Sequence, residues 1–260
     1  MSITARSPLS AREQEQYREQ GFLVLPNVFS RGEIEELTAE AERLVARRDL
    51  IDSKNIRCRW QNHVETGECL FECFDPVADI GPVCSRIAHD PRILDRLASI
   101  YGDEACLFKD KLIFKPPGAR GYNLHQDYIG WRDFPESFIT VQVAIDPADA
   151  DNGATEVFPG CHHDGYLSPL DGEYHDVPPE KVDLAQGVKM ALQPGDVAIF
   201  GCFTPHRSAP NRSDRWRRQL YLSYNSRADG GERRDAHYRE FHAWLHKKYA
   251  EYGKAEVYFA

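Results

Sequence analysis

Three residues of this 260-residue chain stand at spacings that suit metal chemistry. His125-Gln126-Asp127 sets an imidazole and a carboxylate two positions apart. On a strand, residues i and i+2 point to the same face. His206 follows the strand-like run VAIFGCFTP, far along the chain but within reach if a sheet rolls back on itself. Two histidines and one carboxylate on one face of a metal leave three positions open, which is the ligand set of non-heme Fe(II) oxygenases. An H-x-D triplet alone is a common accident. The downstream residues make it more specific: Ser208 lies two positions after His206, and Arg217 eleven after. A cosubstrate with a distal carboxylate, such as 2-oxoglutarate, needs a fixed cation. Arginine supplies one in fork geometry, and a hydroxyl can complete the contact. Arg218 is the rival. Alternation puts Arg217 with Gln219, Tyr221 and Ser223, and Arg218 with Leu220 and Leu222. The face alone does not choose between them.

These residues need a sheet to hold them. From Cys106 onwards, short apolar or alternating runs follow one another, broken by Gly, Pro and Asp: CLFKDKLIFK, SFITVQVAID, ATEVFPG, GVKMALQPGD, VAIFGCF and RQLYLSYN. That pattern predicts a sandwich or barrel of antiparallel strands. The first part of the chain reads as helical. Ser10 can cap a helix over 11–20, ended by Gly21. FLVLPNVF is a strand or an extended piece. Ser30 with Glu33 forms a capping box before Ile34, Leu37, Ala41 and Leu44 at helical spacing. Residues 52–80 show no period. A helix is expected over 80–101, interrupted by Pro91, and a last one over about 232–252. The expectation is a single domain: a helical part to about 105, a mainly β core over about 106–226, and a closing helix.

Four segments, in this order, resemble the phytanoyl-CoA hydroxylase-like family of Fe(II)/2-oxoglutarate dioxygenases over nearly the whole chain. They are YREQGFLVLPNVFSRGEIEEL, FKPPGARGYNLHQD, DADNGATEVFPGCHHDG and LQPGDVAIFGCFTPHRSAPNRSDRWRR. The resemblance implies a double-stranded β-helix, the cupin-like jelly roll, with the metal at its mouth. It assigns His125, Asp127 and His206 to iron, and the spacing from His206 assigns Arg217 to the C5 carboxylate of 2-oxoglutarate, helped by Ser208. It matches Trp131 to an aromatic near the cosubstrate in the ectoine hydroxylase branch. It also puts Lys109 and Lys111 on a strand where relatives place cosubstrate or substrate contacts. The chemistry it implies is oxidative decarboxylation of 2-oxoglutarate by O₂, giving succinate, CO₂ and a hydroxylated substrate. Related halogenases lack a carboxylate at the position of Asp127, so the aspartate here points to hydroxylation.

Other chemistries find no footing. There is no H-E-x-x-H, G-x-S-x-G, P-loop or G-x-G-x-x-G. DADNGATE fails as a calcium loop, because alignment on Gly153 puts Ala148 and Ala150 where carboxylates are required. His162 falls on the family's loop histidine and is read as structural. Two alternatives come from other classes: a cupin-like zinc hydrolase, which would use the same triad but gives no role to Arg217 and Ser208, and a non-catalytic binding module on the same fold, against which the intact triad argues.

A net charge of −9 argues against non-specific binding to nucleic acid or anionic membrane. No apolar run approaches the ~20 residues of a membrane helix. Seven irregularly spaced cysteines without C-x-x-C fit a reducing cytoplasm and not a disulfide framework. The partner expected is a small molecule, held by residues 52–75, the loop from Tyr128 to Glu136, and the C-terminal helix. Arg57, Arg59, Trp60, Gln61 and His63 of that first stretch suit a polar or anionic metabolite better than a long acyl chain.

Overall fold

The computed structural model describes residues 7–52, 54–127, 134–171 and 174–252, with the backbone alone for 248–252. Ser10 and Ser30 start the first two helices, α1 (Ala11–Gln20) and α2 (Arg31–Val45). Each hydroxyl accepts from the N–H three residues on, and Glu13 or Glu33 accepts from the serine N–H in return. The helix expected over 80–101 is two helices, α3 (Pro82–Ala88) and α4 (Pro91–Tyr101). Pro91 does not interrupt a helix. It opens α4 directly after the Asp90 cap, where a missing N–H is harmless.

Among the described residues, eleven strands form two antiparallel sheets. The larger holds β1 (Phe22–Leu25), β2 (Cys58–Asn62), β3 (Cys69–Phe74), β4 (Ala105–Lys115), β6 (Ile139–Ala144), β9 (Val197–Gly201) and β11 (Arg217–Ser226), in the order β1-β9-β6-β11-β4-β3-β2. The smaller holds β5 (Tyr122–His125), β7 (Thr155–Val157), β8 (Val188–Lys189) and β10 (His206–Ser208), in the order β5-β10-β7-β8. This is the expected jelly roll, with one addition: β1, β2 and β3 come from ahead of residue 106. β2 and β3 lie in the stretch without a legible period. Arg59, Gln61 and Glu72 are buried on them, so polar residues stand where the alternation would need apolar ones.

The larger sheet has two unlike faces. Leu112, Phe114, Val141, Val143, Ile199, Leu220 and Leu222 join Ile34, Leu37, Leu44, Ile93 and Leu97 of the helices in one apolar core. The other face is polar and looks at the smaller sheet. On β11 it carries Arg217, Gln219, Tyr221 and Ser223; on β4, Lys109, Lys111, Ile113 and Lys115, each directly across from one of these. The last helix, α5 (Arg234–Tyr252), lies against β4. Arg234 Nε donates to Asp110 Oδ2 at 2.6 Å, and the Tyr238 hydroxyl accepts from Asp110 N–H at 2.9 Å and sits 2.9 Å from Asp75 Oδ1.

Candidate active site

His125 ends β5, His206 opens β10, and the two are direct cross-strand partners. Strand pairing brings together residues far apart in sequence, and their rings lie 4.2 Å apart. Asp127 follows the end of β5 and is held by its N–H, which donates to Cys202 O at 3.1 Å. Its Oδ1 lies 4.0 Å from His125 Nε2 and 3.7 Å from His206 Nε2. One ligand atom from each residue falls within 4.8 Å of the other two. Among the described residues, this is the one group of His, Cys, Asp or Glu side chains so arranged.

The side chains are oriented for a metal. His125 Nδ1 is 2.7 Å from Asn123 O, and His206 Nδ1 is 3.0 Å from Thr204 O. A carbonyl can only accept, so Nδ1 carries the hydrogen and the Nε2 lone pair faces the centre. Thr140 Oγ1 donates to Asp127 Oδ2 at 2.6 Å, leaving Oδ1 toward the histidines. Burial, with His206 alongside, holds His125 neutral down to about 3. Burial alone would raise the Asp127 carboxyl, but His206, His125 and Lys111 outweigh it and keep it below its ordinary range. A neutral imidazole beside an ionised carboxylate is the state that binds a divalent first-row metal.

Behind the triad lie two buried basic side chains. Arg217 is 1% exposed and stands opposite Lys115, also 1% exposed. Arg217 Nη1 donates to Gly153 O at 2.6 Å, while its buried Nε has no partner. Lys115 Nζ donates to Ala209 O (2.5 Å), Ser208 Oγ (3.2 Å) and Gly153 O (3.3 Å), all uncharged oxygens. Ser208 Oγ also accepts from Tyr122 N–H at 3.2 Å, so its own hydrogen is left to donate. Two adjacent buried cations with no carboxylate between them are costly. Burial and the Arg217 guanidinium push the Lys115 ammonium well below the ordinary lysine range. An ion-paired carboxylate is what this pair lacks among the described residues. Arg218, by contrast, is fully engaged: its Nε and Nη2 each reach Asp146 at 2.8 Å.

Gly153 makes the close approach possible. At φ 72°, a Cβ there would stand 2.1 Å from Ala209 O and 2.7 Å from Lys115 Nζ. Asn152 shapes the turn, donating from Nδ2 to Pro147 O at 2.8 Å. A cavity lined by His125, Asp127, His206 and Ser208 runs past the triad to a far end lined by Glu72, Lys109, Lys111 and Arg59, and by His237, Phe241 and Trp244 of α5. There Lys109 pairs with Asp75 at 3.1 Å and lies 4.1 Å from the Phe241 ring centre, and Lys111 stands 5.5 Å from the ring of Tyr221.

A sequence model of the phytanoyl-CoA dioxygenase (PhyH) family matches residues 17–219, well over half of the chain. The chain belongs to the phytanoyl-CoA dioxygenase family. Methylphosphonate hydroxylase of Gimesia maris is 34% identical over 149 residues, covering 55% of this chain and 54% of that protein. The chain thus spans about half the length of that relative. The 2-aminoethylphosphonate dioxygenase of an uncultured bacterium is 29% identical over 68% of this chain and 69% of its own. The ectoine dioxygenase of Sphingopyxis alaskensis is 28% identical over 86% and 78%. The crystal structure of EctD from S. alaskensis in its apoform superposes with a TM-score of 0.73 at 24% identity, covering 90% of this chain and 82% of that one. That likeness is one of fold.

Within this phytanoyl-CoA dioxygenase fold, His125, Asp127, His206, Ser208, Lys109 and Lys111 line one cavity, and Arg217 lies behind that lining, across from Lys115, which reaches Ser208. Trp131 lies outside the described residues. Of the five residues singled out between 57 and 63, only Arg59 lines the cavity. Arg57 instead binds Pro76 O at 2.6 Å, and Trp60 packs edge-on against Phe71. His162 Nε2 lies 3.1 Å from Arg18 O, outside any metal cluster. Lys115 and Glu72 went unread in the sequence. Lys115 had a signal, since it shares parity with Lys109 and Lys111 along one strand; Glu72 had none.

Proposed function

We propose that this chain is an Fe(II)/2-oxoglutarate-dependent dioxygenase that hydroxylates a C–H bond of a small polar or anionic metabolite. The observation that carries the reading is the pair of buried basic side chains, Arg217 and Lys115, without an ion-paired carboxylate among the described residues and close to a His-Asp-His cluster. His125, Asp127 and His206 hold Fe(II). Arg217, Lys115 and Ser208 hold the distal carboxylate of 2-oxoglutarate. When bound, the metal with 2-oxoglutarate and O₂ supplies the oxidising power, and succinate and CO₂ leave as co-products.

The chain's own part is placement. Asn123 O and Thr204 O fix both imidazoles in the tautomer a metal needs. Thr140 fixes the Asp127 carboxylate. Phe108, Phe134 and Phe138 wall the cavity and keep water from the reacting carbon. Arg59, Lys109 and Lys111 bias the far end toward anionic groups, which suits the small phosphonates named for two relatives better than an acyl chain.

We take the chain as one domain, since strands from its first hundred residues complete the larger sheet. Seven cysteines without a disulfide suit a reducing cytoplasm. No helix among the described residues is long and apolar enough to cross a membrane. The test is a metabolite screen with iron-loaded protein, scored by substrate-dependent release of succinate from 2-oxoglutarate. Turnover with zinc, or without 2-oxoglutarate, overturns the reading.

A further inference from the structure

Glu72 sits on β3 at 2% exposure and lines the far end of the cavity. Its neighbours among buried carboxylates are all satisfied. Asp75 pairs with Lys109 and meets the Tyr238 hydroxyl. Asp110 accepts from Val77 N–H, Ala78 N–H and Arg234. Glu40 accepts from Val83 N–H and Cys84 N–H at the start of α3. Among the described residues Glu72 alone of these four has no hydrogen bond and no ion pair. Burial raises its carboxyl to about 7, although Lys111, Arg59, Arg120 and Lys115 all pull the other way. The cations act on it from beyond contact distance, so its carboxyl oxygens face the cavity without a direct partner among the described residues.

Lys111 has the complementary character. It lines the same cavity, makes no ion pair among the described residues, and lies 5.5 Å from the ring centre of Tyr221. Burial would neutralise it, but Asp75 and Asp127 outweigh that, so it stays charged. A purely anionic ligand would satisfy Lys111 and crowd a second negative charge beside Glu72. A purely cationic one would do the reverse. A ligand bearing both charges answers both groups.

We propose that the cavity takes a small zwitterion, with Lys111 meeting its oxyanion and Glu72 its ammonium group. This rests on the dioxygenase reading and narrows its substrate class.

The test uses intact protein with Fe(II) and 2-oxoglutarate under anaerobic conditions. The visible absorption of the Fe(II)–2-oxoglutarate chelate establishes the parent reading before any substrate is added. Calorimetry then compares probe pairs matched in shape, with ammonium replaced by methyl: 2-aminoethylphosphonate against n-propylphosphonate, taurine against 1-propanesulfonate, and β-alanine against butyrate. At least one zwitterion should bind about tenfold or more tightly than its partner, since a desolvated charge pair discriminates strongly. Glu72→Gln should erase that preference by weakening the zwitterion and sparing its methyl partner. Lys111→Met should weaken both members. If no zwitterion of the panel outbinds its partner, or if Glu72→Gln keeps the preference, the proposal is overturned. The wild-type comparison stands even if a variant fails to fold. Absence of the chelate absorption overturns the parent reading, and the proposal with it.

Discussion

Arg217 and Arg218 are neighbours in sequence with opposite surroundings. Arg218 finds its carboxylates in Asp146 and Glu42, whereas Arg217 is sealed against Lys115 with none. Arg217→Ala should therefore raise KM for 2-oxoglutarate by roughly 30- to 1,000-fold, as loss of a buried charge-assisted contact costs ~2–4 kcal/mol. Arg218→Ala should leave it within a few-fold. Steady-state kinetics of both variants decides, and a larger effect at Arg218 would refute the assignment. His125→Ala or His206→Ala each removes one of the three proposed ligands. Either should abolish turnover and weaken Fe(II) binding, read by metal analysis after gel filtration. The H-x-D spacing and the distance to His206 were legible in sequence because they are properties of residue type. What was not legible was charge balance. Whether Arg217 or Arg218 lacks a counter-ion depends on which carboxylates the fold brings near, and Asp146 is over seventy positions away.

At the scale of elements, the loop through Asn152 and Gly153 joins fold and chemistry, because Gly153 O accepts from both Arg217 and Lys115. Gly153→Ala meets a left-handed φ and a backbone oxygen at once. It should lower stability by about 1–3 kcal/mol and raise KM for 2-oxoglutarate, measured by denaturant unfolding and kinetics. Tyr238 plays a similar part for α5, since its hydroxyl ties the helix to Asp75 and Asp110. Tyr238→Phe leaves a buried carboxylate one partner short. It should cost about 1–3 kcal/mol in thermal or denaturant melts. The capping serines, the glycine after α1 and the strands beyond residue 106 could all be read from the chain. β2 and β3 could not, because their inward residues face a polar cavity and the period-two signal needs an apolar one.

At the scale of the whole molecule, three carboxyls, Asp75 and Glu72 buried and Glu33 half-buried, set opposing responses to pH. Burial would raise Asp75, but Lys109 and Arg59 hold it at about 2, and the bonds from Arg92 and Ser30 hold Glu33 there too. A depressed folded pKa stabilises above the unfolded value near ~3.9–4.3 and is lost as pH falls through about 2, so acid should unfold the protein over that window. Glu72 runs the other way. Raised from 4.5 to about 7, it weakens the fold as pH climbs through that interval. In ligand-free protein, Glu72→Gln should therefore stabilise at pH 8, by on the order of 3 kcal/mol, and do nothing at pH 4. Equal melting shifts at both pH values would refute this. The strand pair β4–β11 has a further consequence. Lys115 and Arg217 stand at one extremity, while Lys109 and Ser223 stand six residues away, roughly 20 Å along extended chain. Substitutions that far apart act almost independently. On the proposed reading, a lineage built on this scaffold can therefore exchange what it oxidises at one end without relearning how to oxidise at the other, and the two traits can be inherited separately.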